Sequence, residues 1–304
     1  MNLESFYSNK SILVTGGTGT IGTEIVTQLL KLNPKLIRIF SNSENEIWET
    51  KLKFSDSMDK TAYLKSIDKL EFILGDIRNF ESVKKTIRGI DLIFNAAAIK
   101  HVAICEFDPL EAVNINIHGL QHLIRAAKEE SVSKLVHIST DKAVFPTTVM
   151  GATKMLCERI CIASSRSSDD SNLTISCVRF GNVLGSRGSI IPLTKNNIEN
   201  RRIATITDER MRRFFMSVSQ AVNLVLRSMI ISKGGEIFVL KMSTIRIIDL
   251  LEVLVEEYSK KIGISKDSVK IVKIGAGSGE KINEELISST EYSSCYEMDD
   301  MYVI

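Results

Sequence analysis

Thr140, Asp141 and Lys142 stand side by side in the stretch STDKAVFPTTVMGATK (139–154), offering a hydroxyl, a carboxyl and an amine at consecutive positions. A carboxylic acid beside an amine can serve as general acid and general base at adjacent carbons of one substrate. For that work Asp141 must be protonated and Lys142 neutral at the relevant step. Burial drives both groups that way, whereas a direct ion pair between them opposes both. Taken alone, such a pair reads as an ordinary surface salt bridge. Lys154 follows Met150 by four residues, on one face of a helix expected to begin near 149. Met150 can neither take nor give a proton, and a lone methionine reads first as core filler.

A second set of residues suits phosphates. TGGTGTIG (15–22) follows an apolar run and spaces Gly16, Gly19 and Gly22 three residues apart. Gly16 suits the tight turn, Gly19 lets backbone approach a pyrophosphate, and Gly22 allows close packing of helix on strand. A helix starting near Thr20 presents free N–H groups to the phosphates, so Thr18, Thr20 and Ile21 join the expected cofactor residues. Strand, turn and helix come in the order a dinucleotide site requires. After the second apolar run come Ser41, Asn42 and Ser43, ahead of the first acid, Glu44. Small donors there tolerate a 2′-phosphate, which favours NADP, with NAD as the alternative because no arginine stands at 41–43. The same three residues would also serve as a plain turn and helix cap. Asp76 and Ile77 suit the adenine end, and Ala96, Ala97 and Ala98 the wall after the fourth strand.

These groups need a frame to hold them. Strand-length apolar runs at 11–15, 36–40, 71–74, 91–94, 134–138 and 173–178 alternate with helical patterns, notably 109–130. Near-continuous hydrophobicity marks strands buried on both faces, and the alternation predicts an α/β fold: a Rossmann-type, doubly wound parallel sheet. Beyond residue 178 the pattern loosens. Residues 181–189 read as a loop, 218–231 and 247–261 as helices. We expect a dinucleotide-binding core over 1–178, to which 214–243 returns, and a smaller substrate-binding part over 179–304.

The chain has 304 residues, 44% of them hydrophobic, which is ample for a core. Its net charge of +2 carries no footprint for nucleic acid. Scattered cysteines, five in number, and no apolar run of the ~18–20 residues that span a bilayer point to a soluble, cytoplasmic protein with reduced thiols. His118 and His122 repeat at i, i+4, as do Cys157 and Cys161, but neither pair has neighbours to close a metal site. Both are expected to pack helices.

In combination these segments resemble the extended short-chain dehydrogenase/reductase superfamily. With RFGNVLGSRGSIIP (179–192), RRFFMSVSQAV (212–222), GGEIFVLKM (234–242) and GEKINEEL (279–286), STDKAVFPTTVMGATK is similar to the nucleotide-sugar 4,6-dehydratases that act on UDP-N-acetylglucosamine. Long members of that family carry an N-terminal membrane region, and this chain matches the soluble catalytic part. The resemblance implies a hydride moved from sugar C4 to the cofactor, a proton taken from C5, water lost from C6, and the hydride returned to C6. Asp141 is then the acid towards C6 and Lys142 the base towards C5, with Thr140 at the C4 oxygen. The proton of that oxygen falls to Asp141, to Lys142, or to water relayed through Thr140.

The superfamily places a tyrosine at position 150. Its absence leaves Lys154 the cofactor ribose and puts Met150 beside the substrate. A few dehydratase branches share the methionine, which argues against a tyrosine-dependent reductase or epimerase. The resemblance also assigns Lys100 to the substrate, Asn182, Arg187 and Ser189 to the UDP diphosphate, and Arg213 to help them. Where the family has an RPGEK-like segment this chain has GSGEK (277–281), so Gly277 and Ser278 replace arginine and proline while Glu280 and Lys281 remain. A homo-oligomer is implied. The competing expectations are a nucleotide-sugar 4-epimerase and a non-catalytic binder of NADP or sugar nucleotide.

Overall fold

The computed structural model describes residues 2–57, 66–166, 172–277 and 279–304, so Ser278 lies outside the described residues. Strand β1 (Ser11–Thr15) is buried along its whole length. Its alternating side chains divide the core into two halves. Ile12 and Val14 meet the helices Thr20–Leu30 and Val218–Ile231 on one face. Leu13 meets the helices Phe80–Ile87, Gly119–Glu129 and Val149–Arg166 on the other.

Strands β2 (Leu36–Ser41), β3 (Leu70–Leu74), β4 (Leu92–Asn95), β5 (Lys134–Ile138) and β6 (Thr174–Arg179) lie parallel to β1. Their spatial order is β3-β2-β1-β4-β5-β6, with the direction of travel reversing between β1 and β4. That reversal opens a crevice at the carboxyl ends of the strands, where doubly wound sheets hold ligands. β4 starts one residue later than the apolar run suggests, because the Asp91 carboxylate accepts from Ser11 N at 2.7 Å.

The second half builds two small sheets. One joins β7 (Asn182–Val183), β9 (Arg212–Met216) and β11 (Ser243–Arg246), and the other pairs β8 (Ile203–Ile206) with β12 (Lys270–Lys273). The helices Ile190–Arg201 and Ile247–Lys261 cover a separate apolar cluster around Ile198, Phe215 and Leu251. Two stretches return to the large sheet. β10 (Ile237–Leu240) runs parallel to β6, and β14 (Met301–Val303) pairs antiparallel with β10, followed outward by β13 (Tyr296–Glu297). The polar tail at 288–304 is drawn into the sheet by Met301, which inserts fully into the core.

The stretch 109–130 is not one regular helix. Pro109–Val113 and Gly119–Glu129 flank a π-helical turn over Asn114–His118. The widened turn carries Asn116, whose amide accepts from Ile99 N at 2.9 Å and donates to Ile99 O at 3.1 Å and to Thr153 Oγ1 at 2.9 Å. Those bonds tie the chain beyond β4 to the helix that carries Lys154. Local widening of this kind is how a helix re-aims one side chain. His122 faces Phe80 edge-on and meets Ile77 O at 3.2 Å, while burial pushes the Cys157 thiol up to about 11.

Candidate active site

β1 delivers the chain to Gly16, whose φ of +62° a side chain would strain, and whose Cβ would lie 2.8 Å from Ala97 N. The helix Thr20–Leu30 then begins with Gly19 as its cap and no side-chain acceptor over its first N–H groups. Those free donors, on a turn packed too closely for any Cβ, are what a pyrophosphate needs. Ala96 N and Ala97 N both point back to Thr15, at 3.1 Å to its carbonyl and 3.3 Å to its hydroxyl, so the chain leaving β4 is held against the end of β1. Thr15 Oγ1 donates to Asn95 Oδ1 at 2.6 Å across the switch point. The residues present therefore fit a dinucleotide.

At the ribose end the arrangement is more acidic than the sequence reading expected. Thr18 Oγ1 donates to Glu46 Oε2 at 2.7 Å and meets Ser41 Oγ at 2.9 Å, and Ser43 Oγ accepts from Glu46 N at 3.3 Å. Asn42 points to solvent. Glu46 escaped the sequence reading because it stands past the strand end, two residues after Glu44, on the first turn of the helix Glu44–Ser57. Asp76 pairs with Arg78, whose hydrogen bond holds the carboxyl below its ordinary range. Ile77 is buried against Gly119, so its side chain serves the core.

β5 ends at the acid–base pair. Thr140 caps the short 3-10 turn Asp141–Ala143. Its hydroxyl donates to Asp141 Oδ1 at 2.8 Å, and Lys142 Nζ donates to the same oxygen at 3.0 Å. Asp141 is 0% exposed and Lys142 23%. The other carboxylate oxygen, Oδ2, is buried with no hydrogen-bond partner. Gly151 makes this closeness attainable, since a Cβ there would sit 2.4 Å from Lys142 O. A third group, Glu284, brings Oε1 to 3.7 Å from Lys142 Nζ.

Lys154 is buried and donates to Ile138 O at 2.9 Å. Burial holds its pKa below the ordinary lysine value. Met150 is 4% exposed and packs with Cys105, Ala112 and the partly buried Ile99, Val102 and Val149. The position that a tyrosine would fill is thus occupied by an apolar side chain in an apolar nest.

The expected substrate residues divide between two places. Ser189 stands at the N-cap of the helix Ile190–Arg201 with a buried hydroxyl that has no partner, and Asn182 lies seven residues earlier on β7, paired with Phe215. Arg187 turns the other way. Its N donates to Thr20 Oγ1 at 3.1 Å, and its guanidinium reaches Thr18 O at 2.5 Å and Glu46 Oε1 at 2.9 Å. Lys100 follows it, donating to Arg187 O at 2.9 Å. The guanidinium of Arg213 is taken up by carbonyls, those of Arg212 and Ile282 at 2.9 Å and Lys281 at 2.8 Å, with Glu280 Oε1 3.6 Å away.

Residues 12–304 match the family model described as polysaccharide biosynthesis protein. The chain belongs to that family. A relative within reach of the same sequence is an uncharacterized membrane protein, MJ1061, of Methanocaldococcus jannaschii, 45% identical over all of this chain and 88% of its own. Among the described residues of the present family member, no helix is long and apolar enough to cross a membrane. A UDP-glucose 4-epimerase of Rickettsia canadensis is 38% identical over 98% of this chain and 83% of its own. Among solved structures, Pen from Bacillus thuringiensis superposes with a TM-score of 0.92 at 41% identity, covering 98% of this chain and 88% of Pen.

Proposed function

We propose that this family member is a nicotinamide-dinucleotide-dependent enzyme acting on a nucleotide sugar, and that its reaction is the 4,6-dehydration of UDP-N-acetylglucosamine. The observation that carries the reading is the buried Asp141 carboxyl bonded to both Thr140 and Lys142 just beyond the carboxyl end of β5. A 4-epimerase asks its protein for one proton acceptor at C4. Elimination across C5 and C6 asks for a base and an acid at neighbouring carbons, which this turn offers.

The cofactor supplies reversible hydride transfer and ends the cycle as it began. The protein handles the protons. Thr140 accepts the proton of the C4 oxygen and passes its own along the 2.8 Å bond to Asp141 Oδ1. Asp141 thereby becomes the acid that C6 needs, and Lys142 loses the negative partner that kept it charged. Lys142 gives its ammonium proton to an acceptor beside it and then takes the C5 proton, Asp141 protonates the departing C6 hydroxyl, which leaves as water, and Lys142 recovers its own proton once the C5 proton has been returned.

The name of the Rickettsia relative favours a second reading, a nucleotide-sugar 4-epimerase. Proton NMR of the product formed from UDP-N-acetylglucosamine separates them. A 4-keto-6-deoxy sugar shows a C6 methyl group, whereas a C4 epimer keeps its C6 hydroxymethyl and sinks the dehydratase. The reading carries a homo-oligomer with it, and sedimentation of the purified protein as a monomer would remove that part.

A further inference from the structure

The segment 279–286 has no regular secondary structure, yet other elements hold its backbone along its length. Thr147 Oγ1 donates to Gly279 O at 2.6 Å, Arg213 to Lys281 O at 2.8 Å and Ile282 O at 2.9 Å, and Arg179 to Leu286 O at 2.7 Å. A loop so fixed is built to place something. Its most enclosed charge is Glu284, whose side chain is 5% exposed. Glu284 Oε1 lies 3.7 Å from Lys142 Nζ and Oε2 3.7 Å from Lys281 Nζ, while Oε2 has no hydrogen-bond partner. Lys281 spends its own hydrogen bond on Val144 O at 2.7 Å. A buried carboxylate held at ion-pair distance from two amines, and bonded to neither, is an expensive arrangement for stability alone.

Resting on the dehydratase reading, we infer that Glu284 is a positioning residue that governs the proton of Lys142. At rest Lys142 faces two carboxylates, Asp141 and Glu284, and is an ammonium. Once Asp141 has taken the C4 proton, Glu284 is the remaining anion beside Lys142. It accepts one proton from the ammonium, leaving a neutral amine free to attack the C5 proton. When Lys142 has returned that proton to C5, Glu284 hands back the one it stored, and no charge is left over. Among the described residues, the other charged groups at this turn include Lys281, whose Nζ lies 3.7 Å from Glu284 Oε2, and Lys154, which donates to Ile138 O.

The test is Glu284→Gln and Glu284→Asp in the full chain. Glu284→Gln is expected to lower kcat by ~100-fold or more with KM nearly unchanged, the size of a lost proton-transfer partner. The ascending limb of its pH profile moves to lower pH, because Lys142 loses a negative neighbour. Independently of turnover, 13C NMR of the reductively methylated Lys142 amine, assigned with Lys142→Arg, is expected to show the same downward movement. Glu284→Asp withdraws the carboxylate by one methylene and is expected to move both readouts less, in the same direction. Parent-like kcat, limb and Lys142 titration in these folded variants overturn the proposal. A parent protein that eliminates no water, yet shows the Lys142 shift on substitution, overturns the dehydratase and upholds the pairing of Glu284 with Lys142.

Discussion

Glu46 Oε1 accepts from Arg187 Nη1 at 2.9 Å, joining a loop of the second half to the ribose end of the dinucleotide cradle. The pair spans residues far apart in sequence, and both partners remain partly open to solvent. Glu46 offers an acceptor to a ribose hydroxyl and repels a 2′-phosphate, whereas Arg187 attracts that phosphate. Cofactor choice is expected to follow the balance of the two. Glu46→Gln is expected to shift the ratio of NADP to NAD affinity towards NADP by about tenfold, ~1.4 kcal/mol, and Arg187→Ala to shift it towards NAD. Titration calorimetry with each dinucleotide checks this, and an unchanged ratio in both variants contradicts it.

Arg179 is 1% exposed and binds two acids at once, Glu158 at 2.7 Å and Glu291 at 2.9 Å. Burial opposes its charge, but the hydrogen bonds it donates to these carboxylates outweigh that and raise its pKa. Glu158 also accepts from Ser139 at 2.6 Å, next to the Thr140–Asp141–Lys142 turn. Arg179→Met leaves two carboxylates buried with no cation, which is expected to cost about 3–5 kcal/mol in urea unfolding. A loss below ~1 kcal/mol, the range of an exposed pair, would show that the network is not closed in solution.

Lys154 is buried at a cost in stability. Its pKa is lowered by burial, so between that lowered value and the ordinary lysine range the unfolded chain binds more protons than the folded one. Stability contributed by this group therefore rises with pH through that window. Lys154→Met is expected to be more stable than the parent at neutral pH, with the gap closing as pH climbs into the ordinary lysine range, and to bind dinucleotide more weakly. Urea unfolding at several pH values measures the gap, and a gap independent of pH contradicts the account.

Met150 tests where the chemistry does not reside. Its neighbours are apolar and it is buried among them, so Met150→Leu is expected to change stability by less than about 1.5 kcal/mol and to leave turnover at the parent level. A large loss of kcat in a folded variant would mean that position 150 touches the reacting sugar in a way leucine cannot imitate.

The parts of this molecule set by local pattern were legible in its residues. Strand β5 and the helices Val218–Ile231 and Ile247–Lys261 fall where apolar periodicity puts them, and the glycine turn and the helix start at Thr20 follow from backbone sterics. What escaped depends on contacts between distant segments. Nothing local marks Glu284 as the acid beside Lys142, or Glu46 as the partner of Arg187, because each is brought in by a loop whose course is set by packing elsewhere. The π turn at Asn114–His118 was hidden for the same reason, since its cause is the hydrogen bonding of Asn116 to Ile99 and Thr153. The tail strand Met301–Val303 carries too short an apolar run to declare itself.

The central claim is that the Thr140–Asp141–Lys142 turn removes water from a nucleotide sugar. Mass spectrometry of UDP-N-acetylglucosamine incubated with the dinucleotide-loaded protein tests it most directly, with Asp141→Asn and Lys142→Ala run alongside. The account predicts a product lighter by one water with the parent protein, and a rate lower by ~10²–10⁴ in either variant that still binds the nucleotide sugar. A product of unchanged mass, or water loss that survives both substitutions, would contradict it.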